Sequence, residues 1–155
     1  MNVTVIHVGD LKEQYYREAV AEYEKRLGRF CRVNNVEIKE ERLPDQPSDG
    51  QIAAALQAEG ERIIRALPER AYKIALCVEG GQLSSEQLAA AIWDCGKDIA
   101  FIIGSSHGLS PEVKARADLR LSVSKMTFPH RLMRVILAEQ IYRAFSINAG
   151  SGYHK

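Results

Sequence analysis

Positively charged side chains crowd the start of a helix that the sequence predicts near the C-terminal end, over residues 132–147. His130, Arg131 and Arg134 stand in or just before its first turns. The helix dipole already places about half a positive charge there, and acidic residues are preferred. Cations gathered at this end indicate an anionic partner that binds there. The competing interpretation is that each is an ordinary solvated surface residue.

The distribution of charge also favours an anionic partner. Residues 119–155 contain six lysines and arginines but only one acid, Glu139, so the net charge of this region is +5. Because the whole chain has a net charge of +1, residues 1–118 have a net charge of −4. A basic region on a mildly acidic body is typical of proteins that contact phosphates. Arg143 has an alternative role, because it stands four residues after Glu139 and can pair with it along the helix.

Three loops follow predicted strands, and two of them are rich in glycine: residues 79–83, 104–109 and 124–129. In an open parallel sheet, ligands bind beyond the carboxyl ends of the strands, and glycine lets the backbone come close to a ligand. Neither GxGxxG nor GxxxxGK[ST] occurs, so no dinucleotide or nucleoside-triphosphate motif identifies a ligand. Each loop could also be a simple turn, and the residues alone leave both interpretations open.

The elements that must position these loops alternate along the chain. Strands are predicted over residues 3–8, 33–38, 72–78, 98–103 and 119–123, and helices over 13–27, 48–66, 84–95, 110–117 and 132–147. Capping boxes at Ser48 and Ser84 open the second and third helices, and Ser110 before Pro111 opens the fourth. Five β-α units in one expected domain, residues 1–155, predict an α/β fold with a mostly parallel sheet and helices on both faces.

The last predicted helix is apolar around most of its circumference, whereas a helix on one face of a sheet buries only a stripe. It is therefore either a central helix of the fold or part of a subunit interface.

Composition and cysteine usage indicate a cytoplasmic protein with no membrane segment and no metal site. The N-terminus lacks the basic region and long apolar run of a signal peptide, and no run of about 18 apolar residues occurs. Cys31, Cys77 and Cys95 are far apart and form no CxxC pair, which indicates buried thiols in a reducing compartment.

The C-terminal segment also resembles a known family. The run SVSKMTFPHRLMRVILAEQIYRAF, with YHK at the end of the chain, is similar to the C-terminal signature of the ribosomal large-subunit methyltransferase H family, a branch of the SPOUT class of RNA methyltransferases. The chain begins similarly, with an apolar strand, Gly9 and a helix that contains EAVAEYEKRLG. The resemblance implies a homodimer whose C-terminal segment forms a trefoil knot. It also implies methyl transfer from S-adenosylmethionine to N3 of a pseudouridine in helix 69 of the 23S rRNA, in the ribosome.

By the same resemblance, the three loops form the cofactor pocket. Its residues would be Leu76, Gly104, Gly108, Val123, Ser124, Lys125, Met126, Thr127 and Phe128. The chain departs from the family at Cys77, where an acid is common, at Gly81, where a lysine is common, and at Ser105, where a second glycine is common. A serine at position 105 needs a negative φ to avoid strain, so the pocket could differ locally.

The implied reaction needs a base, because N3 of the pseudouridine must lose a proton before it attacks, and histidine is the usual candidate near neutral pH. His154 is the first candidate and His130 the second, while His7 is expected to be structural and His107 could touch cofactor or RNA. Tyr153 could stack on an unpaired base, although a terminal tail is often disordered. Candidates for phosphate contacts are Arg131, Arg134, Arg143 and Lys155.

Two other functions compete with this one. A non-catalytic RNA- or ribosome-binding protein could use the same basic terminus, and it need not bind S-adenosylmethionine. A small α/β enzyme with a nicotinamide cofactor is disfavoured, because only Gly9 follows the first strand where GxGxxG would be expected.

Overall fold

The computed structural model describes all 155 residues and contains five β-α units in chain order. The strands are β1 (Asn2–Val8), β2 (Arg32–Ile38), β3 (Tyr72–Gly81), β4 (Ile99–Ile103) and β5 (Leu119–Leu121), and the helices are α1 (Gln14–Leu27), α2 (Asp49–Ala66), α3 (Ser85–Asp94), α4 (Pro111–Ala115) and α5 (His130–Asn148). All neighbouring strands are parallel, in the order β2-β1-β4-β3-β5. The predicted α/β fold with a parallel sheet is confirmed, while the knot stays an implication of the resemblance.

Helices cover both faces of the sheet, as predicted. One buried cluster joins a sheet face to α1, α3 and α5 and contains Phe101, and the other joins the opposite face to α2 and α4 through Ile63 and Val113. All five residues of β4 are buried. A parallel strand covered on both faces must be apolar throughout, which explains the nearly continuous apolar run of β4.

Helix α5 is central to the fold, which accounts for most of its apolar surface. It packs against both α1 and α3, and Ile141 is 1% exposed within the larger cluster. Leu132 and Ile136 differ from this pattern, because they are only half-buried and do not pack against any buried cluster. They stand four residues apart and form a short apolar stripe on the surface of α5, called here the α5 stripe.

Strand β3 continues past the predicted turn at residues 79–83 and ends only at Gly81. A side chain at Gly80 would place its Cβ 2.7 Å from the backbone carbon of Leu121 and 2.8 Å from the carbonyl oxygen of Arg120. Gly80 therefore allows β3 to run against the backbone of β5. Adjacent glycines usually mark a turn, so the end of this strand was predicted too early.

His7 should make the stability of the fold depend on pH. It is 4% exposed in β1, and its Nδ1–H donates to the carbonyl oxygen of Gly9 at 2.7 Å. Burial, and then the charge of Arg134, lowers the pKa of His7 from 6.5 to about 4. Between these two pH values the imidazole is neutral in the folded protein but protonated in the unfolded chain. Protonation therefore favours the unfolded chain as pH falls below 6.5, and the protein has its full stability, as far as His7 is concerned, only above pH 6.5.

We expect the free energy of unfolding to fall by up to about 3 kcal/mol as pH drops through this window. Denaturant titrations at several pH values should show a smaller decrease for His7→Gln than for the wild type. Identical pH profiles for the two proteins would contradict this role of His7.

Candidate active site

A cavity of about 620 Å³ opens at the C-terminal edge of the sheet. Its walls are the last part of β3, the loop after β4 and the segment between β5 and α5, so the three predicted loops meet around one space. The volume lies in the range of about 300–1,000 Å³ that is typical of small-molecule sites. Apolar side chains line part of it, among them Leu76, Ile103, Leu121 and Met133.

Eight of the nine residues predicted to bind the cofactor line this cavity. They are Leu76, Gly104, Gly108, Val123, Ser124, Met126, Thr127 and Phe128. Lys125 belongs to the same segment, but it is exposed and is not part of the cavity wall.

The loop after β4 depends on its two glycines. A Cβ at Gly104 would lie 2.1 Å from the carbonyl oxygen of Gly108, and Gly108 itself has φ +90°. The amide of Gly108 also donates to the carbonyl oxygen of Ser105 at 2.9 Å. These contacts fold the loop tightly onto itself, so that its backbone forms part of the cavity wall.

The three departures from the family have separate structural consequences. Ser105 is buried and does not have a positive φ, so serine causes no backbone strain there. Cys77 lines the cavity. A Cβ at Gly81 would meet no atom within 4 Å, so that position lies open to solvent and accepts a side chain.

Charged and titratable groups lie on the cavity wall. Lys114 of α4 forms an ion pair with Glu79 of β3, and this hydrogen bond is the main reason that the pKa of Glu79 lies below its usual value. Burial lowers the pKa of His130 below 6.5, although the nearby carboxylates of Glu40 and Glu13 oppose that change. His130 is therefore neutral near pH 7, and an uncharged imidazole can accept a proton.

His154 lies outside the cavity and is held on the surface of the protein. Its Nε2 lies 2.7 Å from Oε1 of Glu86, and an arginine nitrogen of Arg143 lies 3.1 Å from its Nδ1. Because arginine can only donate, Nδ1 is the acceptor and Nε2 carries the proton that is donated to Glu86. The pKa of Glu86 falls to about 2, first through its own backbone N–H and then through His154 and Ser84.

Tyr153 completes this arrangement. Its hydroxyl donates to Glu139 at 3.2 Å, its ring meets the ring of Tyr142 at 4.7 Å in a T-shaped contact, and Arg143 lies over its face. The tail thus packs on α3 and α5 and does not extend into solvent. None of its last three residues lines the cavity.

The basic residues predicted to contact RNA do not form one surface. Arg131 pairs with Glu13 at 2.9 Å, and Arg143 pairs with Glu139, which was the alternative role for that residue. Arg134 lines a separate cavity of about 340 Å³, together with His7, Asp10, Glu24 and Glu37. Of the cationic cluster at the start of α5, only His130 reaches the large cavity, and Lys155 is exposed.

Several features of the site have no local sequence signal. Glu79 and Lys114 are 35 residues apart, and only the parallel pairing of the strands brings them together. The contact of His154 with Glu86 spans 68 residues. Spacing along one helix or strand cannot predict such pairs.

No helix is both long and apolar enough to cross a membrane. No three histidine, cysteine or acidic side chains are grouped in a way that could hold a metal ion.

Comparisons with known proteins identify the family. The chain matches the family described as "Predicted SPOUT methyltransferase" over residues 1–154. It is 55% identical to ribosomal RNA large subunit methyltransferase H of Bifidobacterium adolescentis and 52% identical to the protein of that name from Clostridium novyi, with 100% of both chains covered in each case.

Two solved structures share the fold. A probable methyltransferase from Bordetella pertussis Tohama I has a TM-score of 0.59 at 16% identity, and the match covers 92% of this chain and 93% of the Bordetella chain. A probable methylase family protein from Haemophilus influenzae Rd KW20 has a TM-score of 0.57 at 13% identity, and the match covers 99% of this chain and 70% of the Haemophilus chain. The chain is therefore a methyltransferase that belongs to the SPOUT class and, within it, to the ribosomal RNA large subunit methyltransferase H family.

Proposed function

We propose that the protein methylates N3 of a pseudouridine in helix 69 of the 23S rRNA, with S-adenosylmethionine as the methyl donor. The observation that carries this proposal is the cavity built by three strand-end loops in a chain that shares 55% identity with a protein named for the rRNA of the large subunit. Ribosomes as substrate imply a cytoplasmic location.

The cavity residues fit S-adenosylmethionine. The tight glycine loop exposes backbone groups that can bind polar parts of the cofactor, and the apolar wall suits an adenine ring. The residues that would hold it are the eight predicted residues on the wall. When bound, the cofactor supplies a methyl group already activated on a sulfonium, so the protein contributes mainly orientation and removal of a proton.

Proton removal from N3 needs a neutral base near the cavity. His130 is on the cavity wall with a lowered pKa, so it has the position and charge state for this role. His154 has an acceptor Nδ1 and a fixed tautomer, but within its own subunit it is bound to Glu86 and Arg143. We infer that His154 acts at the cavity of the partner subunit, with His130 as the alternative base.

A homodimer would bring these parts together. Val78 is 79% exposed and Met126 is 74% exposed at the rim of the cavity, and the α5 stripe is half-buried without a core contact. Exposed apolar surface of this kind is typical of an interaction site. A partner that covered it would also place a second tail next to the cavity.

The α5 stripe provides a test of the dimer. We expect Ile136→Asp to give a folded monomer, because the carboxylate would be buried without a partner at the interface but hydrated in the single subunit. Ile141→Asp would not distinguish a lost interface from a lost fold, because Ile141 lies in the core of the chain and a charge there should prevent folding. Trp93→Asp, at a side chain 65% exposed on α3, is the control and should remain dimeric.

Sedimentation velocity with circular dichroism reports both association and folding of these variants. A wild-type protein that is monomeric at micromolar concentration would contradict the dimer, and a dimeric Ile136→Asp variant would contradict the α5 stripe as its interface.

The RNA phosphates would meet the basic C-terminal region. Lys155 is exposed and can contact a phosphate directly, whereas Arg131 and Arg143 must exchange a carboxylate partner for the phosphate. Arg134 lies near three acids and would contribute least.

The function itself is tested by incubating the protein with labelled S-adenosylmethionine and ribosomes that lack the modification. We expect label in one pseudouridine of helix 69, at N3. Ribosome binding without any label, and without calorimetric binding of S-adenosylhomocysteine, would instead identify a non-catalytic RNA-binding protein.

A further inference from the structure

One acidic and one basic side chain stand on the wall of the large cavity, and they pair with each other. Glu79 of β3 is the only acid among the residues that line the cavity, and Lys114 of α4 is the only lysine or arginine. The ammonium group of Lys114 donates a hydrogen bond to the carboxylate of Glu79. The wall therefore presents one positive and one negative charge side by side.

The backbone on each side of this pair is held firmly. On β3, the close approach of Gly80 to the backbone of Leu121 fixes the residue next to Glu79 against β5. On α4, a Cβ at Gly60 would lie 2.4 Å from the hydroxyl oxygen of Ser110, so α2 packs directly on the residue that caps α4. Each charged side chain therefore starts from a fixed point, and only its flexible part must move when it changes partner.

The pair lies on the solvent side of the cavity. The side chain of Glu79 is 49% exposed and that of Lys114 is 23% exposed, whereas Ile103 and Leu121 on the same wall are buried. An ion pair with this much exposure contributes little to the stability of a fold. Its position on a cavity wall therefore favours a role in binding. The cavity combines a buried apolar wall with a charged and partly exposed one.

S-adenosylmethionine has a matching division between its two ends. The faces of its adenine ring are apolar, while its amino acid head carries an ammonium and a carboxylate on one carbon. Lys114 can donate to that carboxylate and Glu79 can accept from that ammonium, so each of the four charges keeps an opposite partner. A charge that leaves bulk water for a partly enclosed site needs such a partner.

We propose that the pair of Glu79 and Lys114 binds the amino acid head of S-adenosylmethionine and makes the cavity selective for nucleosides with a zwitterionic head. The identity of the ligand rests on the proposed function. The two side chains bind and orient the cofactor and take no part in methyl transfer itself. If the pair served only to join β3 to α4, its loss would weaken all adenosine ligands equally.

Substitution of the pair combined with truncation of the ligand distinguishes these two roles. 5′-Methylthioadenosine contains the adenosine and the sulfur of S-adenosylhomocysteine but lacks the amino acid head. In calorimetry we expect Lys114→Met to bind S-adenosylhomocysteine about tenfold or more weakly, as for a lost hydrogen bond between charged groups, and to bind 5′-methylthioadenosine with unchanged affinity. Glu79→Gln should show a smaller loss of the same kind, because its amide oxygen still accepts a hydrogen bond but has no charge.

Salt provides a second measurement that a purely structural pair would not affect. Rising ionic strength should weaken the binding of S-adenosylhomocysteine to the wild type more than to Lys114→Met, because salt screens the interaction between exposed charges. Arg65→Met is the matched control, since Arg65 forms an exposed pair with Glu61 on α2. It should leave both affinities and the salt dependence unchanged.

Equal weakening of both ligands in Lys114→Met would make the pair a structural link and overturn the proposal. Wild-type affinity for S-adenosylhomocysteine in Lys114→Met would also overturn it, as would equal affinities of the wild type for the two ligands. A wild-type protein that binds neither nucleoside would refute the proposed cofactor and this proposal together, an outcome distinct from the others because no ligand binds.

Discussion

Deletion of Tyr153, His154 and Lys155 should reduce methylation of ribosomes by two or more orders of magnitude while binding of S-adenosylhomocysteine stays unchanged. The tail carries the first candidate base, a ring that can stack on an unpaired nucleobase and a free lysine, and a general base alone typically contributes about 10²–10⁴-fold. None of the three residues lines the cavity of their own subunit, so its cofactor contacts remain.

Folding should survive this deletion, because Tyr153 packs only on the outside of the larger cluster and His154 makes surface contacts. Single-turnover methylation, calorimetry and thermal unfolding report the three properties separately. His154→Ala should show much of the loss with a shallower dependence of rate on pH, whereas Lys155→Ala is the control that removes only one proposed phosphate contact. A truncated enzyme with the wild-type rate would make His130 the base.

Gly104→Val should abolish cofactor binding. The first atom of the new side chain would lie 2.1 Å from the carbonyl oxygen of Gly108, which is backbone and cannot rotate away. The loop must therefore open, and it loses the surface that we propose binds the cofactor. The effect differs from simple filling of the cavity, because the added side chain collides with its own loop.

Gly81→Ala is the matched control for this variant, since a Cβ at position 81 meets no atom within 4 Å. Calorimetry with S-adenosylhomocysteine should give no measurable binding for Gly104→Val and unchanged affinity for Gly81→Ala, with similar circular dichroism for both. Wild-type affinity in Gly104→Val would remove this loop from the cofactor site.

Local sequence signals predicted much of the fold. The side chains of Ser48 and Ser84 form the expected capping boxes, and Ser110 caps α4 ahead of Pro111, because each signal depends only on residues within one turn. The alternation of strands and helices also predicted a parallel sheet, since parallel strands need a crossover between them. Where the pattern was wrong, at the end of β3, glycine served a close approach of two strands and not a turn.

The candidate site was predicted less completely. Loops at strand ends could be placed together, because parallel strands all end at the same edge of the sheet. The anchoring of His154 by Glu86 could not be predicted, since it joins distant segments. The apolar surface of α5 allowed two interpretations, and the structure favours a central helix for all but the α5 stripe.

Subunit complementation provides the most direct test of a methyltransferase site shared between two subunits. Gly104→Val subunits keep a normal tail but lack a functional cavity, and tail-deleted subunits keep the cavity but lack the tail, so neither protein alone should methylate ribosomes. After the two are unfolded together in equal amounts and refolded, half of the dimers are mixed, and each mixed dimer contains one complete site. We expect methylation of the helix 69 pseudouridine at about a quarter of the wild-type rate, as random pairing in a two-fold dimer requires. A mixture as inactive as its separate components would show that tail and cavity do not act across the subunit interface.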